Sequence, residues 1–190
     1  GRTRDAATTE QLGANVVENC LVHSQAPGSS GPVTCIIVGT QGAGSNLGLF
    51  LRTDIVRGCQ FYNLPRPAGG HAVHGVTAPI IEDCIFDGID DPVYLEPQGP
   101  PATRVDYNHF VLQGCVFRDY KFAVVLRQSA PVSVVKSLVI RDNFFYSRAG
   151  THRTEGVAIA LLTAVTDPNL AIERIVIENN SAMHMDGSIG

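Results

Sequence analysis

Leu138-Val139-Ile140-Arg141-Asp142-Asn143-Phe144-Phe145-Tyr146 carries the pattern on which the reading of this chain turns. Related stretches stand at 16–22, 55–61, 80–86, 111–117 and 175–182. They align on Cys20, Cys59, Cys84, Cys115, Asn143 and Asn180. Three positions earlier every copy has an aliphatic residue: Val17, Val56, Ile81, Leu112, Ile140 and Ile177. The next position is polar, with Glu18, Arg57, Glu82, Gln113, Arg141 and Glu178. Then come Asn19, Gly58, Asp83, Gly114, Asp142 and Asn179, residue types that tolerate a left-handed backbone. Two positions after the aligned residue stand Val22, Phe61, Phe86, Phe117, Phe145 and Ala182.

Each column has a physical job. The two-residue period of a strand turns the aliphatic inward and its polar neighbour outward. The Asn/Gly/Asp position bends the chain, the Cys or Asn after it turns inward, and the Phe returns to the core. The unit is strand, bend, strand. Its copies are 39, 25, 31, 28 and 37 residues apart. Self-similarity on this scale marks a solenoid, in which each unit buries its apolar face only by stacking on its neighbours.

Composition agrees. The chain has 190 residues, enough for one domain with a sizeable core. Gly is abundant at 19, Trp is absent, and no stretch sustains a 3.6-residue apolar stripe, so the expected class is all-β. A net charge of −4 argues against a nucleic-acid surface. No apolar run reaches the ~18 residues of a membrane span. Of five cysteines, four occupy one repeat column. Stacked neighbours ~4.8 Å apart are close enough for a bridge, but the column reads as small inward thiols rather than a disulfide framework. No zinc-type CxxC spacing occurs.

A third strand is expected in each coil, at 49–52, 73–76, 93–96, 124–127 and 157–161. The apolar run 33–38 finds no place in this scheme. Residues 1–15 lack the pattern and read as a cap, a linker or the end of a preceding coil; 16–190 reads as the repeat domain, or a fragment of a longer one.

Three strands per coil, a small or Asn residue at an inward bend and a Phe column resemble the right-handed parallel β-helix of the pectate-lyase-like superfamily. Ile175-Val176-Ile177-Glu178-Asn179-Asn180 is typical of it. The resemblance covers 16–190 and implies an all-β solenoid of about six coils. A leucine-rich repeat would need a tighter period and helical returns, and a left-handed β-helix would need hexapeptide regularity. The superfamily spans lyases, hydrolases, epimerases, phage tailspikes, adhesins and non-catalytic proteins, so the fold does not dictate the function.

The resemblance places a substrate groove on the third-strand sheet. One outward column there is Phe50, His74, Tyr94, Val125 and Ala158; the next is Arg52, Val76, Glu96, Arg127 and Ala160. The catalytic candidates are His74, Tyr94, Glu96 and Arg127. His74 or Tyr94 would abstract a proton alpha to a uronate carboxylate that Arg127 or Arg52 neutralises. Glu96 with Asp90 or Asp91 is the alternative acid/base pair. Phe50, Arg52, Asp87, Asp90 and Asp91 are the substrate-binding candidates, and the loop aspartates are candidate Ca²⁺ ligands. Plainer readings stand beside these. Glu96–Arg127 is a surface ion pair, Asp90-Asp91-Pro92 is a turn, and Arg118-Asp119-Tyr120-Lys121 is a solvated tight turn. His71-x-x-His74 has no third zinc ligand.

Family motifs do not line up. Gly70-His71 precedes Asp90-Asp91 and is followed by Ala72, unlike the order in polygalacturonase-like hydrolases, and Asp91-Pro92 is followed by Val93 rather than the His of alginate epimerases. The expectation is therefore an extracellular, cell-surface or virion-surface β-helix that binds a polysaccharide, with or without cleaving it. The alternative is a structural β-helix that assembles end to end as a fibre or side by side as a trimer, because uncapped coil ends expose strand edges.

Overall fold

Short strands are the only helices-or-strands found in the computed structural model, which describes residues 16–23, 34–38, 55–64, 71–75, 79–95, 105–127, 133–148, 157–162 and 170–185. In chain order they are β1 (Val16–Glu18), β2 (Leu21–His23), β3 (Thr34–Val38), β4 (Ile55–Arg57), β5 (Gln60–Tyr62), β6 (His71–Gly75), β7 (Ile80–Glu82), β8 (Ile85–Asp87) and β9 (Val93–Leu95). They continue as β10 (Val105–Gln113), β11 (Val116–Arg118), β12 (Phe122–Arg127), β13 (Ser133–Arg141), β14 (Phe144–Arg148), β15 (Val157–Leu162), β16 (Leu170–Ile172), β17 (Ile175–Glu178) and β18 (Ser181–Met185).

The chain deals these strands in turn to three parallel sheets. The first runs β1-β4-β7-β10-β13, with β16 and β17 both paired to β13; the second runs β2-β5-β8-β11-β14-β18; the third runs β3-β6-β9-β12-β15. Parallel neighbours need a crossover, and here the other two strands of each repeat supply it. The aligned columns of the sequence are the paired columns of the sheets: Val17 pairs with Val56, Val56 with Ile81, Ile81 with Leu112, Leu112 with Ile140 and Ile140 with Ile177.

One apolar core draws on all three sheets, through Val56, Ile81, Leu112 and Ile140, through Phe61, Phe86, Phe117 and Phe145, and through Val73, Val93, Val124 and Leu126. The Phe rings form a continuous stack, with centroids 5.2, 4.9 and 5.0 Å apart and planes within 17° of parallel. Parallel pairing in register sets this spacing, because each ring rides one strand above the last. At β17 the inward positions Ile175 and Ile177 are exposed. No described strand lies beyond β17 to cover them.

All six residues of the bend column have positive φ: Asn19 55°, Gly58 59°, Asp83 55°, Gly114 64°, Asp142 57° and Asn179 53°. Their backbone N–H groups keep the ladder going through the bend, as in Gly58 to the Glu82 carbonyl at 3.0 Å and Asp83 to the Gln113 carbonyl at 3.1 Å. A second left-handed column, not recognised in the sequence, follows the Phe column: Asn63 48°, Gly88 71° and Asp119 48°. Its signal was legible, since each member stands two residues after an inward Phe. In both columns an Asx side chain lies over the glycine of the next repeat. A Cβ on Gly58 would come 2.7 Å from the Asn19 Oδ1, and Asn63 covers Gly88 and Asp83 covers Gly114 more closely still.

The inward Cys/Asn column makes one recurring contact. The thiols of Cys59, Cys84 and Cys115 point at the carbonyls of Val17, Val56 and Ile81 at 3.7, 3.7 and 3.8 Å. Asn143 and Asn180 donate from Nδ2 to the matching carbonyls of Leu112 and Ile140 at 3.1 and 2.8 Å. Cys20, Cys59, Cys84 and Cys115 are free thiols, the last three buried. Burial pushes the Cys59 and Cys115 thiols up, whereas the hydrogen bond with the Cys115 thiol holds Cys84 down. Cys35 lies in β3, where side chains are outside the described residues.

Two expectations are corrected. The place beside β6 in the third sheet, assigned from the sequence to 49–52, belongs to β3, with Ile36 paired to Val73 and Ile37 to His74. The run 33–38 thus finds its position, and 49–52 lies outside the described residues. Nor is 118–121 a solvated turn: Asp119 bends the chain, but it is buried, and Tyr120 is 3% exposed with its ring edge-on to Phe145 at 6.2 Å. The bend turns the Tyr120 ring in beside the last ring of the Phe stack.

Candidate functional site

Alternation in the third sheet sets its outer face. Val93 and Leu95 are buried in the core, so Tyr94 between them points out. Its partners in register are His74 on β6 and Val125 on β12, and Val125 pairs in turn with Ala160 on β15. This face is not evenly open to solvent. Val125 and Ala160 are buried although neither belongs to the core, Tyr94 is half-buried, and Arg127 is exposed.

A row of three side chains crosses three consecutive repeats here. The His71 ring stacks on Tyr94, with centroids 4.2 Å apart and an interplanar angle of 16°. Arg127 donates from Nη1 to the Tyr94 hydroxyl at 3.1 Å. His71 Nδ1 lies 3.1 Å from the Asp91 carbonyl oxygen. A carbonyl only accepts, so Nδ1 carries a proton and donates it. His71 is thereby fixed in orientation while almost wholly buried.

The loop before β9 holds the row in place. The Asp90 carbonyl accepts from the backbone N–H groups of Lys121 and Phe122, both at 2.9 Å, and ties this loop to the start of β12. Val73 N–H donates to the Pro92 carbonyl at 2.9 Å. Asp90-Asp91-Pro92 thus does the work of a turn, with main-chain carbonyls directed at the repeats on either side. Lys121 lies over the Phe122 ring, 5.1 Å from its centroid.

Among the residues singled out in the sequence, Tyr94 and Arg127 come together, and Asp91 joins them through His71. His74 pairs with Tyr94 along the backbone, but its side chain lies outside the described residues, as do Glu96, Phe50 and Arg52 altogether. Asp87 belongs to the second sheet, where its carboxylate stands 3.7 Å from Arg118. His71 is the residue whose role the sequence did not show. The sequence offers it as half of a zinc pair, in a hydrolase-like Gly-His motif and in the loop before the expected strand at 73–76, but gives no sign of its place on the Tyr94 ring. The described residues contain no group of three or more His, Cys, Asp or Glu side chains placed to hold a metal ion.

No protein-family model matches the chain, and comparison with curated proteins and with solved structures finds no match.

Proposed function

We propose that the chain is a right-handed parallel β-helix that binds an acidic polysaccharide along the outer face of its third sheet. The observation that carries this reading is the row His71–Tyr94–Arg127, with its 4.2 Å ring stack and 3.1 Å guanidinium–hydroxyl contact. His71 backs one face of the Tyr94 ring and stiffens it, and a sugar ring packs against the other face. Arg127, held at the rim beside the Tyr94 hydroxyl, sets its positive charge where a uronate carboxylate would lie. Repeats ~4.8 Å apart suit a linear polymer laid across the strands. Such a ligand belongs to an extracellular, cell-surface or virion-surface setting.

The test is binding of the purified chain to polygalacturonate, alginate and a neutral glucan, followed by affinity electrophoresis. The expected result is retention by an acidic polymer and not by the glucan, weakened about tenfold or more in Arg127→Ala and in Tyr94→Ala. Equal retention of wild type and both variants, or none by any acidic polymer, defeats the proposal. Scanning the same mixtures for unsaturated and reducing ends asks whether binding leads to cleavage. A second reading, a structural β-helix that associates with its own kind, draws its support from the outer face of the first sheet.

A further inference from the structure

The outward side chains of the first sheet form two columns. One is aliphatic and β-branched: Val16, Ile55, Ile80, Val111, Val139 and Val176, of which Val16 is exposed and the rest half-buried. None of them belongs to the core. Two residues further along each strand runs a polar column of Glu18, Arg57, Glu82, Gln113, Arg141 and Glu178. Five of its members bond in two groups, Glu18 with Arg57 and Glu82 with Gln113 and Arg141. Arg57 donates to Glu18 Oε2 from Nε and Nη2 at 2.8 and 2.6 Å, which raises the Arg57 pKa. Gln113 donates to Glu82 Oε2 at 3.0 Å, and Arg141 donates to Gln113 Oε1 at 3.0 and 2.7 Å. These bonds order long side chains beside the aliphatic column and lower the entropy lost when the strip meets a partner.

Read from β1 to β17, the polar column is minus, plus, minus, neutral, plus, minus. Consider a second copy laid face to face by a two-fold axis that lies in the interface, parallel to the strands and over β10. Repeat order reverses while the columns keep their places. Arg57 then meets Glu178 of the second copy, Glu82 meets Arg141, and Gln113 meets Gln113. The aliphatic column closes on itself, with Ile55 against Val176, Ile80 against Val139 and Val111 against Val111. Neighbouring placements fail. An axis over β7 sets Glu82 against itself, and one between β7 and β10 sets Arg57 against Arg141. One between β10 and β13 sets Glu82 against Glu178. An axis at right angles, along the stack, sets every charge against its own copy when it runs over the polar column, and against the aliphatic column when it runs between the two. Axes between β1 and β4, between β4 and β7 and between β13 and β17 also avoid like charges, but over fewer strands and with fewer ion pairs, so the register over β10 is the most complementary, as isologous contact requires.

We propose that this face is a self-association surface, and that its occupant is a second copy of the chain related by the two-fold over β10. The strip covers five strands ~4.8 Å apart and two outward positions per strand, on the order of a few hundred Å² per copy. Association is therefore weak and reversible, and its charged pairs lie at a rim that salt screens.

Sedimentation velocity of the full chain over a concentration series, at low and high salt, reads the equilibrium. Wild type is expected to form a dimer as concentration rises, and less of it in high salt. Glu82→Arg and Arg141→Glu each put like charges together twice per dimer, and each is expected to weaken association tenfold or more. An equimolar mixture of the two variants restores both pairs in a heterodimer, and the double variant restores them in a homodimer. Wild type that stays monomeric at all concentrations overturns the proposal. So does self-association that is indifferent to the single swaps, which would place the contact on another face, and so does a mixture that fails to dimerise. Unchanged far-ultraviolet circular dichroism certifies the fold of each variant. Arg57→Glu and Glu178→Arg provide the same cycle should either first variant fail to fold.

Discussion

Asn180 Oδ1 accepts two hydrogen bonds from Asn143, one from Nδ2 and one from the backbone N–H, both at 3.0 Å, although the residues lie 37 apart in the chain. Asn143 in turn accepts the Cys115 N–H at 2.9 Å and donates to the Leu112 carbonyl at 3.1 Å. One side chain thus ties three repeats together, and it is almost wholly buried. Asn143→Ala leaves the Cys115 N–H and the Leu112 carbonyl without these partners and is expected to cost about 3 kcal/mol in urea unfolding. Asn143→Asp keeps the acceptor but sets a buried carboxylate against the Leu112 carbonyl and Asn180 Oδ1. Its loss at neutral pH is expected to be at least as large, and to shrink under acid conditions as the carboxyl gains its proton. Indifference to either change would deny the ladder an energetic role.

Asp83 and Gly114 form a steric pair. Gly114 has φ 64°, and the Asp83 Oδ1 occupies the space a Cβ there would take. Gly114→Ala is expected to destabilise the fold by about 1–3 kcal/mol, part backbone strain and part clash. Removing the covering side chain in Asp83→Gly/Gly114→Ala is expected to recover the clash and leave the strain. Coupling between the two sites in a double-mutant cycle checks this, and strict additivity would show that the overlay is not felt.

Phe117 sits between Phe86 and Phe145 in the stack, with both centroids within 5.0 Å. Phe117→Ala is expected to cost about 3–5 kcal/mol, more than Phe117→Leu, because neighbouring rings held by strand register cannot collapse into the gap. Thermal unfolding of the two variants measures the difference. Equal losses would mean that the stack requires the ring itself and not the volume it fills.

Tyr120 makes the fold sensitive to alkali. Burial raises its pKa above the ordinary 10.0, so the folded state holds the phenol proton longer than the unfolded chain does. Its stabilising contribution is complete below pH 10.0 and declines as pH rises from there through the folded pKa. Cys59 and Cys115, also raised, act with the same sign from their ordinary 9.0, and Cys84, lowered, acts against them. Tyr120→Phe is expected to lose less melting temperature than wild type between pH 9 and 11, roughly the span in which free thiols and phenols ionise. Parallel curves for the two proteins would remove Tyr120 as the cause.

Much of the site was only half visible beforehand. Alternation around Val93 and Leu95 was enough to turn Tyr94 outward, and alignment put Arg127 one repeat away. That Arg127 reaches the Tyr94 hydroxyl, and that His71 lies flat on the ring, are side-chain contacts between repeats that alternation alone does not give. The same holds for Asp87. It is one of a run of loop carboxylates in the sequence, yet its place in β8 turns it to the second sheet and Arg118.

What the sequence determined by itself was the repeat: inward aliphatics, left-handed bends, the Cys/Asn column and the Phe column. These depend on a strand's two-residue period and on which residues accept positive φ, and both are local. What only the tertiary structure decided was lateral: β3 as the neighbour of β6, Tyr120 beside Phe145, His71 on Tyr94, and Gly88 beneath Asn63. Such contacts join residues from different repeats across surface loops of unequal length. Loop length costs little free energy, so it leaves almost no trace of where the next strand docks, and register comes from the stacked sheet.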